Sequence, residues 1–328
     1  MPTGKSITEK PLDGLRIFLY GPPKSKKTTW CLKAAEAGFR VLVFDADRGL
    51  NVLAQINKNA LERIYSMPIY DGPTDANAAL SMASILRRQE FWFDEQTRFY
   101  IHSARTGLRH CNLRDFGPET LLVFDYTAIV ESVVRQYAGE NNIDLTDARK
   151  PEWEGYRWCG TILTWMLTQL RTLNRCHYVC IGHMTQYEKH KPPPTDPKKQ
   201  GPLEWTRQQM FSSSNPHAMS IGHHFTDVLK LYKEGATFWV DSTGNKFDEG
   251  GSQSIAPGKY EWDKLQFVDL LKSVGHIAPN PAAQPFDFPL IEAGTITPVP
   301  APAVSADNRG GIIRPKQRIS SFISTASK

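Results

Sequence analysis

Apolar residues along this chain form two alternating kinds of segment. Four short runs are apolar almost throughout: residues 15–20, 40–45, 120–125 and 177–182. Other segments have helical character: residues 27–37, 74–90, 128–137 and 156–174. Strands of nearly continuous apolar residues that alternate with helices are typical of a parallel sheet covered on both faces. The pattern therefore predicts an α/β fold with a mainly parallel central sheet flanked by helices.

The pattern changes beyond the fourth apolar run, which is predicted to end at His183. Residues 184–217 contain three consecutive prolines and show no clear period. A loop of this length in a compact domain is usually functional or disordered. Two strand-like runs at residues 225–232 and 236–242 follow it and predict a β-rich C-terminal edge. A short helix is predicted near residues 262–274.

These changes divide the chain into three predicted parts. Residues 1–14 form an N-terminal extension, and residues 15–278 form the core. From about residue 279 the composition shifts to Pro, Ala, Ser and Thr, which predicts a disordered tail at residues 279–328. The end of the tail is basic, so it either solubilises the chain or contacts nucleic acid or a partner.

Charge and composition narrow the class of protein without deciding its function. The 328-residue chain has a formal net charge of +5, which is modest and compatible with local contact to nucleic acid. No apolar run approaches the roughly 18–20 residues that span a bilayer, and the N-terminus lacks the apolar core of a secretory signal. We therefore expect a cytoplasmic protein with no membrane partner.

The five cysteines are an odd number in a large chain, which argues against a disulfide framework. Cys176 and Cys180, with His183 close behind, suggest a zinc site. They lie in an apolar run that reads as a buried strand, and no second ligand pair has matching spacing. Buried thiols are the favoured interpretation, and a metal site is the alternative.

Residues 21–29, GPPKSKKTT, come between a predicted strand and a predicted helix, as a phosphate-binding loop does. In such a loop, consecutive backbone N–H groups point at phosphate and a lysine reaches the β- and γ-oxygens. The spacing makes Lys27 that lysine and Thr28 the Mg²⁺ ligand. The predicted nucleotide-binding residues are Gly21, Pro22, Pro23, Lys24, Ser25, Lys26, Lys27, Thr28 and Thr29.

Lys26 departs from the phosphate-loop pattern, which has glycine at this position. Glycine lets the backbone approach phosphate closely and adopt angles that other residues resist. A lysine can turn its side chain to solvent, so we expect nucleotide binding to survive at some cost in geometry. The alternative interpretation is a basic turn before a helix.

Asp125 ends the apolar run at residues 120–125. A nucleotide-binding sheet presents a carboxylate to Mg²⁺ at such a strand end. An acid there is weak evidence alone, but it gains weight because a phosphate loop precedes it in the chain. The predicted metal residues are therefore Thr28 and Asp125.

Residues 20–50 resemble the start of a RecA-type ATPase core, in which a Gly-Pro loop ending in Gly-Lys-Thr-Thr leads to a helix and a strand closing on Asp-Ala-Glu. Residues 121–130, LLVFDYTAIV, are similar to the second acidic motif of that core. Residues 178–183, YVCIGH, are similar to the strand whose last residue senses the γ-phosphate. Among such proteins, the chain most resembles annealing and recombination ATPases encoded by bacteriophages.

The resemblance implies catalytic roles for Lys27, Asp47, Asp125 and His183. Asp47 stands where the family has its catalytic glutamate, and its side chain is one methylene shorter. His183 stands where the family often has glutamine, and histidine can also donate to phosphate. The alternatives are that Asp47 caps a turn and that His183 simply ends a strand.

In RecA-type cores, the segment after the sensor strand is a mobile loop that grips single-stranded DNA. The resemblance therefore implies DNA contacts in residues 184–217, where cations are interleaved with aromatic residues that can stack on bases. The predicted DNA-binding residues are Tyr187, Lys189, Lys191, Lys198, Lys199, Trp205 and Arg207. The alternative is a solvated, proline-rich excursion.

The resemblance implies an ATPase that uses ATP and Mg²⁺ and acts on single-stranded DNA in annealing or strand exchange. It also implies assembly into a ring or filament of identical subunits, a single-strand-binding protein as a further partner, and the bacterial host cytoplasm as the location if the gene is a phage gene. Two alternatives stay open. One is a nucleotide-gated DNA-binding protein without turnover, and the other is a helicase or packaging motor.

Overall fold

The structure is a computed structural model that describes residues 14–47, 50–71, 77–96, 100–101, 104–141, 143, 153–191, 203–210, 215–244, 250–276 and 278–292. For residues 153, 154, 156, 186–190, 205–210, 215, 216 and 219, only the backbone is described. The strands are β1 (Arg16–Gly21), β2 (Arg40–Asp45), β3 (Ile64–Pro68), β4 (Glu90–Phe93), β5 (Tyr100–Ile101), β6 (Arg109–Asn112), β7 (Thr120–Asp125), β8 (His177–His190), β9 (Leu203–Met210), β10 (Asp227–Glu234), β11 (Thr237–Asp241), β12 (Gly251–Ser252) and β13 (Lys259–Glu261). The α-helices are α1 (Lys27–Leu32), α2 (Lys58–Leu61), α3 (Asn77–Arg88), α4 (Tyr126–Asn141), α5 (Trp153–Leu170), α6 (Asn215–Ile221) and α7 (Phe267–Ser273).

A large sheet runs through the described part of the chain, with its main strands in the order β13, β11, β10, β1, β8, β7, β2, β3. Neighbouring strands from β10 to β3 are parallel. Strands β11, β12 and β13 pair antiparallel at the C-terminal edge. The predicted fold class, a mainly parallel central sheet with a β-rich C-terminal edge, is confirmed.

The hydrophobic core lies on both faces of this sheet because its central strands are apolar at consecutive positions. In β1, Phe18 and Tyr20 belong to one buried cluster, and Ile17 and Leu19 belong to the other. Helices α3, α4 and α5 contribute to the first cluster, and α1 and α7 contribute to the second. Among the described residues, none of the helices has the length and apolar character needed to cross a membrane.

The sequence pattern does not predict β3 or the separate sheet in which β4 pairs with β5 and β6. Strands β4, β5 and β6 have four residues or fewer, which is too short for a two-residue alternation to be recognised. The four main apolar runs do form strands β1, β2, β7 and β8. Burial on both faces is therefore the feature that the pattern detects well.

The predicted loop at residues 184–217 is wrong for the part that the structure describes, residues 184–191, 203–210 and 215–217. Strand β8 continues seven residues beyond His183 to His190, and β9 pairs with it antiparallel. Helix α6 then begins at Asn215. The sequence pattern did not indicate this two-stranded ribbon because its residues are mostly polar and show no clear period.

The predicted boundary of the tail at residue 279 also needs correction. Residues 278–292 pack on the body, where Phe288 is buried and its ring lies 4.8 Å from that of Tyr65 and 5.1 Å from that of Phe93. The backbone N–H of Ala283 donates to the carbonyl of Gly38 at 2.8 Å. Residues 293–328, the rest of the predicted tail, lie outside the described residues, as do residues 1–13 of the predicted extension.

Candidate nucleotide site and its hairpin

The carboxyl ends of three neighbouring strands bring the predicted nucleotide residues to one edge of the sheet. In the pairing of β1 with β8, Gly21 lies opposite His183. In the pairing of β8 with β7, Ile181 lies opposite Asp125. Strand β8 therefore lies between the strand that leads into the glycine loop and the strand that ends in the acid.

The loop leaves β1 at Gly21, where no side chain fits. A Cβ atom at Gly21 would lie 1.9 Å from the backbone carbonyl oxygen of Leu231 in the adjacent strand β10. Relief would require β10 to move, because the obstructing atom belongs to the backbone of a paired strand. The first glycine of the loop pattern is therefore required by the packing of the sheet.

Lys26 and Lys24 both adopt the left-handed conformation, with φ of 66° and 62°. For residues with a side chain, this conformation costs about 1–2 kcal/mol. The Lys26 side chain does not simply extend into solvent as expected. Its ammonium lies 4.2 Å from the ring centre of Phe238 and 4.8 Å from that of Trp262. The loop thus keeps the backbone conformation typical of glycine with a lysine in place.

Lys27 begins α1 and turns its ammonium back into the loop. The ammonium donates hydrogen bonds to the carbonyl oxygens of Gly21 at 2.9 Å and Pro22 at 2.8 Å, and to Oγ of Ser25 at 3.3 Å. Burial lowers the pKa of Lys27 to about 8, and the nearby carboxylate of Asp125 partly opposes this shift. A buried ammonium at the centre of the loop is well suited to an anionic ligand.

The other predicted nucleotide-binding residues differ in exposure. Pro23 and Lys24 are exposed, Pro22 and Thr28 are half-buried, and Ser25 and Thr29 are buried.

Asp125 lies among other carboxylates at the ends of β7 and β2. Burial, and then the charge of Asp47, raise the pKa of Asp125 to about 7, and Asp45 contributes in the same direction. One Asp125 oxygen accepts the backbone N–H of Ala128 at 3.0 Å, which fixes the carboxyl group at the start of α4. Asp47 itself is exposed. A cation at this point would relieve the repulsion among these acids.

His183 is positioned by its backbone, which donates to Oγ1 of Thr127 at 2.7 Å. Burial, and then the ammonium of Lys27, lower the pKa of His183, while Glu131 and Asp47 oppose the shift. The structure therefore brings Lys27, Asp47, Asp125 and His183 into one electrostatic neighbourhood. Their catalytic roles remain predictions.

The two cysteines of the alternative zinc interpretation are buried, Cys180 inside β8 and Cys176 directly before it. Cys176 is 1% exposed and Cys180 is 0% exposed. Burial raises the pKa of the Cys176 thiol to about 12 and that of Cys180 well above its usual range, which opposes the thiolate that zinc requires. The part of the chain that the structure describes contains no group of three metal-ligating side chains suited to a metal ion.

The β8–β9 hairpin, residues 184–190 and 203–210, places four of the predicted DNA-binding residues in two cross-strand pairs. Tyr187 lies opposite Arg207, and Lys189 lies opposite Trp205. Because neighbours two apart in a strand share a face, these four positions fall on one face of the ribbon. The other face carries Gln186, Glu188, Thr206 and Gln208. Lys191 follows the ribbon and is exposed, whereas Lys198 and Lys199 lie outside the described residues.

Helix α6, the next described element after β9, contacts the start of α4 beside Asp125 through a residue that the sequence did not indicate. His217, in α6, is 6% exposed, and its Nε2 lies 2.9 Å from the hydroxyl of Tyr126, next to Asp125. Its Nδ1 lies 3.2 Å from Oγ1 of Thr164. No local signal marks His217, because its partners are 91 and 53 positions away in the chain.

The sequence of residues 13–215 matches the family described as "AAA domain", and this segment is more than half of the 328 residues. The chain belongs to this family. The matched segment includes the phosphate loop, Asp125, β8 and the hairpin. Family membership implies nucleoside triphosphatase activity in general terms, and proteins of this kind generally use ATP and Mg²⁺.

No curated protein sequence matches the chain. Among solved structures, the crystal structure of the RadB recombinase is similar to it, with a TM-score of 0.34 and 15% sequence identity. That similarity covers 73% of this chain and 85% of the RadB chain.

Proposed function

We propose that this AAA-domain protein binds ATP with Mg²⁺ in the loop at residues 21–29 and hydrolyses it to act on single-stranded DNA, in annealing or recombination of the phage type. The observation that carries the proposal is the placement of Lys27. Its buried ammonium lies at the centre of the loop, and Asp125 is close enough to influence its pKa. This arrangement supplies a cation for phosphate and a carboxylate for a metal at the same edge of the sheet.

The residues present fit ATP and Mg²⁺. Lys27 would exchange its hydrogen bonds to the loop carbonyls for bonds to phosphate oxygens. Thr28 and Asp125 would hold Mg²⁺, which neutralises charge on the triphosphate. Deprotonated Asp125 is required for this role, so its raised pKa links metal binding to proton release.

Asp47 and His183 are the residues proposed for the γ-phosphate end of the site. Asp47 would orient the attacking water, because it is exposed and lies beside Asp125. His183 would contact the γ-phosphate from the point where β8 leaves the sheet. A shift of His183 on binding would move the start of the hairpin, because both belong to the same strand.

The hairpin is the proposed contact with DNA. Two cationic and two aromatic residues share one face of the ribbon, and their register alternates cation with ring across the strands. Cations that follow phosphates and rings that stack on bases bind single strands without reading sequence. Lys191, Lys198 and Lys199 are further proposed contacts in the connection between the strands. Identical subunits in a ring or filament are proposed as the active assembly, with a single-strand-binding protein as a further partner.

The decisive experiment is phosphate release from ATP, titrated with single-stranded DNA. We expect release that increases with DNA and is lost in Lys27→Ala, which should also lose nucleotide binding. Lys58→Ala, an exposed lysine on α2, is the matched control and should behave as wild type. Binding of ATP without phosphate release under either condition would refute hydrolysis and favour the nucleotide-gated DNA-binding protein.

A second experiment separates annealing from a motor. Complementary strands are mixed with the protein and ATP, and duplex formation is followed beside the unwinding of a tailed duplex. We expect faster duplex formation and no directional unwinding. Directional unwinding without annealing would instead support the helicase or packaging motor.

A further inference from the structure

The side chain of Lys26 is held by two aromatic rings from the C-terminal edge of the sheet. Phe238 lies in β11 and Trp262 lies just after β13. Ammonium-to-ring distances of 4.2 Å and 4.8 Å are within the range of favourable cation–π contact. Both rings lie beyond residue 215, where the family match ends. We call Lys26, Phe238 and Trp262 the lysine clamp.

Residues 262–267, which include Trp262 of the lysine clamp, are attached to α1 by further contacts. The indole N–H of Trp30 donates to the carbonyl oxygen of Leu265 at 2.8 Å, and its ring meets that of Phe267 edge-on at 6.1 Å. Lys33 also places its ammonium 5.0 Å from the ring centre of Trp262. Residues 262–267 therefore lie against the helix that follows the loop, so the Trp262 ring is held relative to that helix.

The backbone of Lys26 combines an unfavourable conformation with a hydrogen bond to α1. It adopts the left-handed conformation, and its carbonyl accepts the N–H of Trp30 at 2.9 Å in the first turn of α1. The Lys26 side chain makes no capping hydrogen bond of its own. The contact of its ammonium with the two rings is thus the observed interaction that can hold the Lys26 backbone in a conformation that favours glycine.

We infer that Phe238 and Trp262 hold Lys26 in its left-handed conformation and thereby keep the loop shaped for phosphate, which makes the C-terminal edge a working part of the nucleotide site. Lys26 and the two rings are positioning residues in this inference. The inference rests on the proposed binding of ATP at residues 21–29. The two rings, which lie more than two hundred positions away in the chain, thereby compensate for the absence of glycine at residue 26.

The clamp can be tested by a double-mutant cycle on the affinity for a fluorescent ATP analogue with Mg²⁺. Phe238→Leu should weaken binding about tenfold, or about 1.4 kcal/mol, when residue 26 is lysine. The same change should alter binding less than about twofold in a Lys26→Gly background, because glycine needs no clamp. Equal losses in both backgrounds, or no loss in the lysine background, would overturn the inference.

Charge and packing at residue 26 are separated by two further variants. Lys26→Met keeps a long apolar side chain without the cation and should weaken binding about tenfold. Lys26→Arg keeps a cation that can stack on rings and should remain within about threefold of wild type. If Lys26→Met binds as well as wild type, the clamp does not act through the ammonium and the inference fails. Thermal unfolding of each variant controls for loss of the fold.

Cleavage by trypsin after the exposed Lys24 tests the clamp without nucleotide. Phe238→Leu should be cut there several times faster than wild type if the ring restrains the loop. An unchanged cleavage rate would contradict the clamp even if ATP binding is confirmed. Conversely, a wild-type protein that binds no ATP analogue would refute the proposed function, while the cleavage rate would still decide whether the clamp exists.

Discussion

The two halves of β8 have opposite surroundings although they form one continuous strand. Residues 177–183 pair with β1 on one side and β7 on the other, and Val179 and Cys180 are fully buried. Residues 184–190 pair with β9 alone. The first half is apolar because both faces of the sheet are covered, whereas the second half is polar because the ribbon extends beyond the sheet.

The difference places the proposed nucleotide site and the proposed DNA contact on one strand. His183 lies at the junction, opposite Gly21 and bonded through its backbone to Thr127. Helix α6 is held by the contact between His217 and the hydroxyl of Tyr126. Tyr126 and Thr127, which follow Asp125, therefore contact residues that flank the hairpin in the chain, and we expect a displacement at the proposed metal site to reach His183 and His217 through them.

Removal of the Asp125 carboxylate should have the largest effect. We expect Asp125→Asn to slow phosphate release at least about 100-fold, since the metal loses a charged ligand. DNA binding in the absence of nucleotide should stay near wild type, because the hairpin pairs independently of this side chain. Loss of both properties together would show that the two halves of β8 do not act separately.

The pH dependence of metal binding sharpens the same test. Because the pKa of Asp125 is raised to about 7, Mg²⁺ must displace a proton at lower pH. We expect Mg²⁺-dependent tightening of nucleotide binding to weaken by up to about tenfold for each pH unit below 7 in wild type, and much less in Asp125→Asn. Calorimetric titration of Mg²⁺ at several pH values measures this, and equal slopes in the two proteins would contradict it.

His217 should make the stability of the fold sensitive to acid. Burial lowers the pKa of His217 from 6.5 to about 4, so its neutral form stabilises the fold above pH 6.5 and that stability is lost as the pH falls toward 4. At pH 5 the loss is about 2 kcal/mol. Urea unfolding at pH 7 and pH 5 should show a smaller acid loss in His217→Gln than in wild type. The exposed His223→Gln is the control and should keep the wild-type difference.

Changes on the two faces of the hairpin should differ in effect. We expect Lys189→Ala with Arg207→Ala to weaken binding to single-stranded DNA about tenfold and to reduce the salt slope by about 1.4, or about 0.7 for each lost phosphate contact. Gln186→Ala with Gln208→Ala, on the opposite face, is the matched control. Fluorescence anisotropy over a salt series measures both. Equal losses on the two faces would remove the basis for a single DNA-binding face.

The smallest effect is expected at the junction itself. Thr127→Val removes the hydroxyl that accepts the His183 N–H and should cost about 1 kcal/mol of stability. If the junction transmits nucleotide binding, the increase in DNA affinity caused by ATP should fall several-fold while affinity without ATP is retained. An unchanged increase would assign Thr127 a structural role only.

Patterns that repeat over a whole element were predictable from sequence. The apolar runs that form β1, β2, β7 and β8 are recognisable because burial on both faces leaves no room for polar side chains. The placement of Lys27 and Asp125 followed from their positions beside those runs, because strands of a parallel sheet end at a common edge. Each of these two residues lies within a few positions of an apolar run, so the sequence itself could indicate its role.

Contacts between distant residues were decided only by the tertiary structure. The residues of β8 and β9 beyond His183 are mostly polar and show no clear period, so the pairing of Tyr187 with Arg207 could not be predicted. The rings on Lys26 and the partners of His217 come from residues far away in the chain. Sequence alone predicted a phosphate loop with an unusual lysine, and the folded sheet determined what that lysine contacts. Periodicity reports burial, whereas specific contacts depend on how distant strands pair.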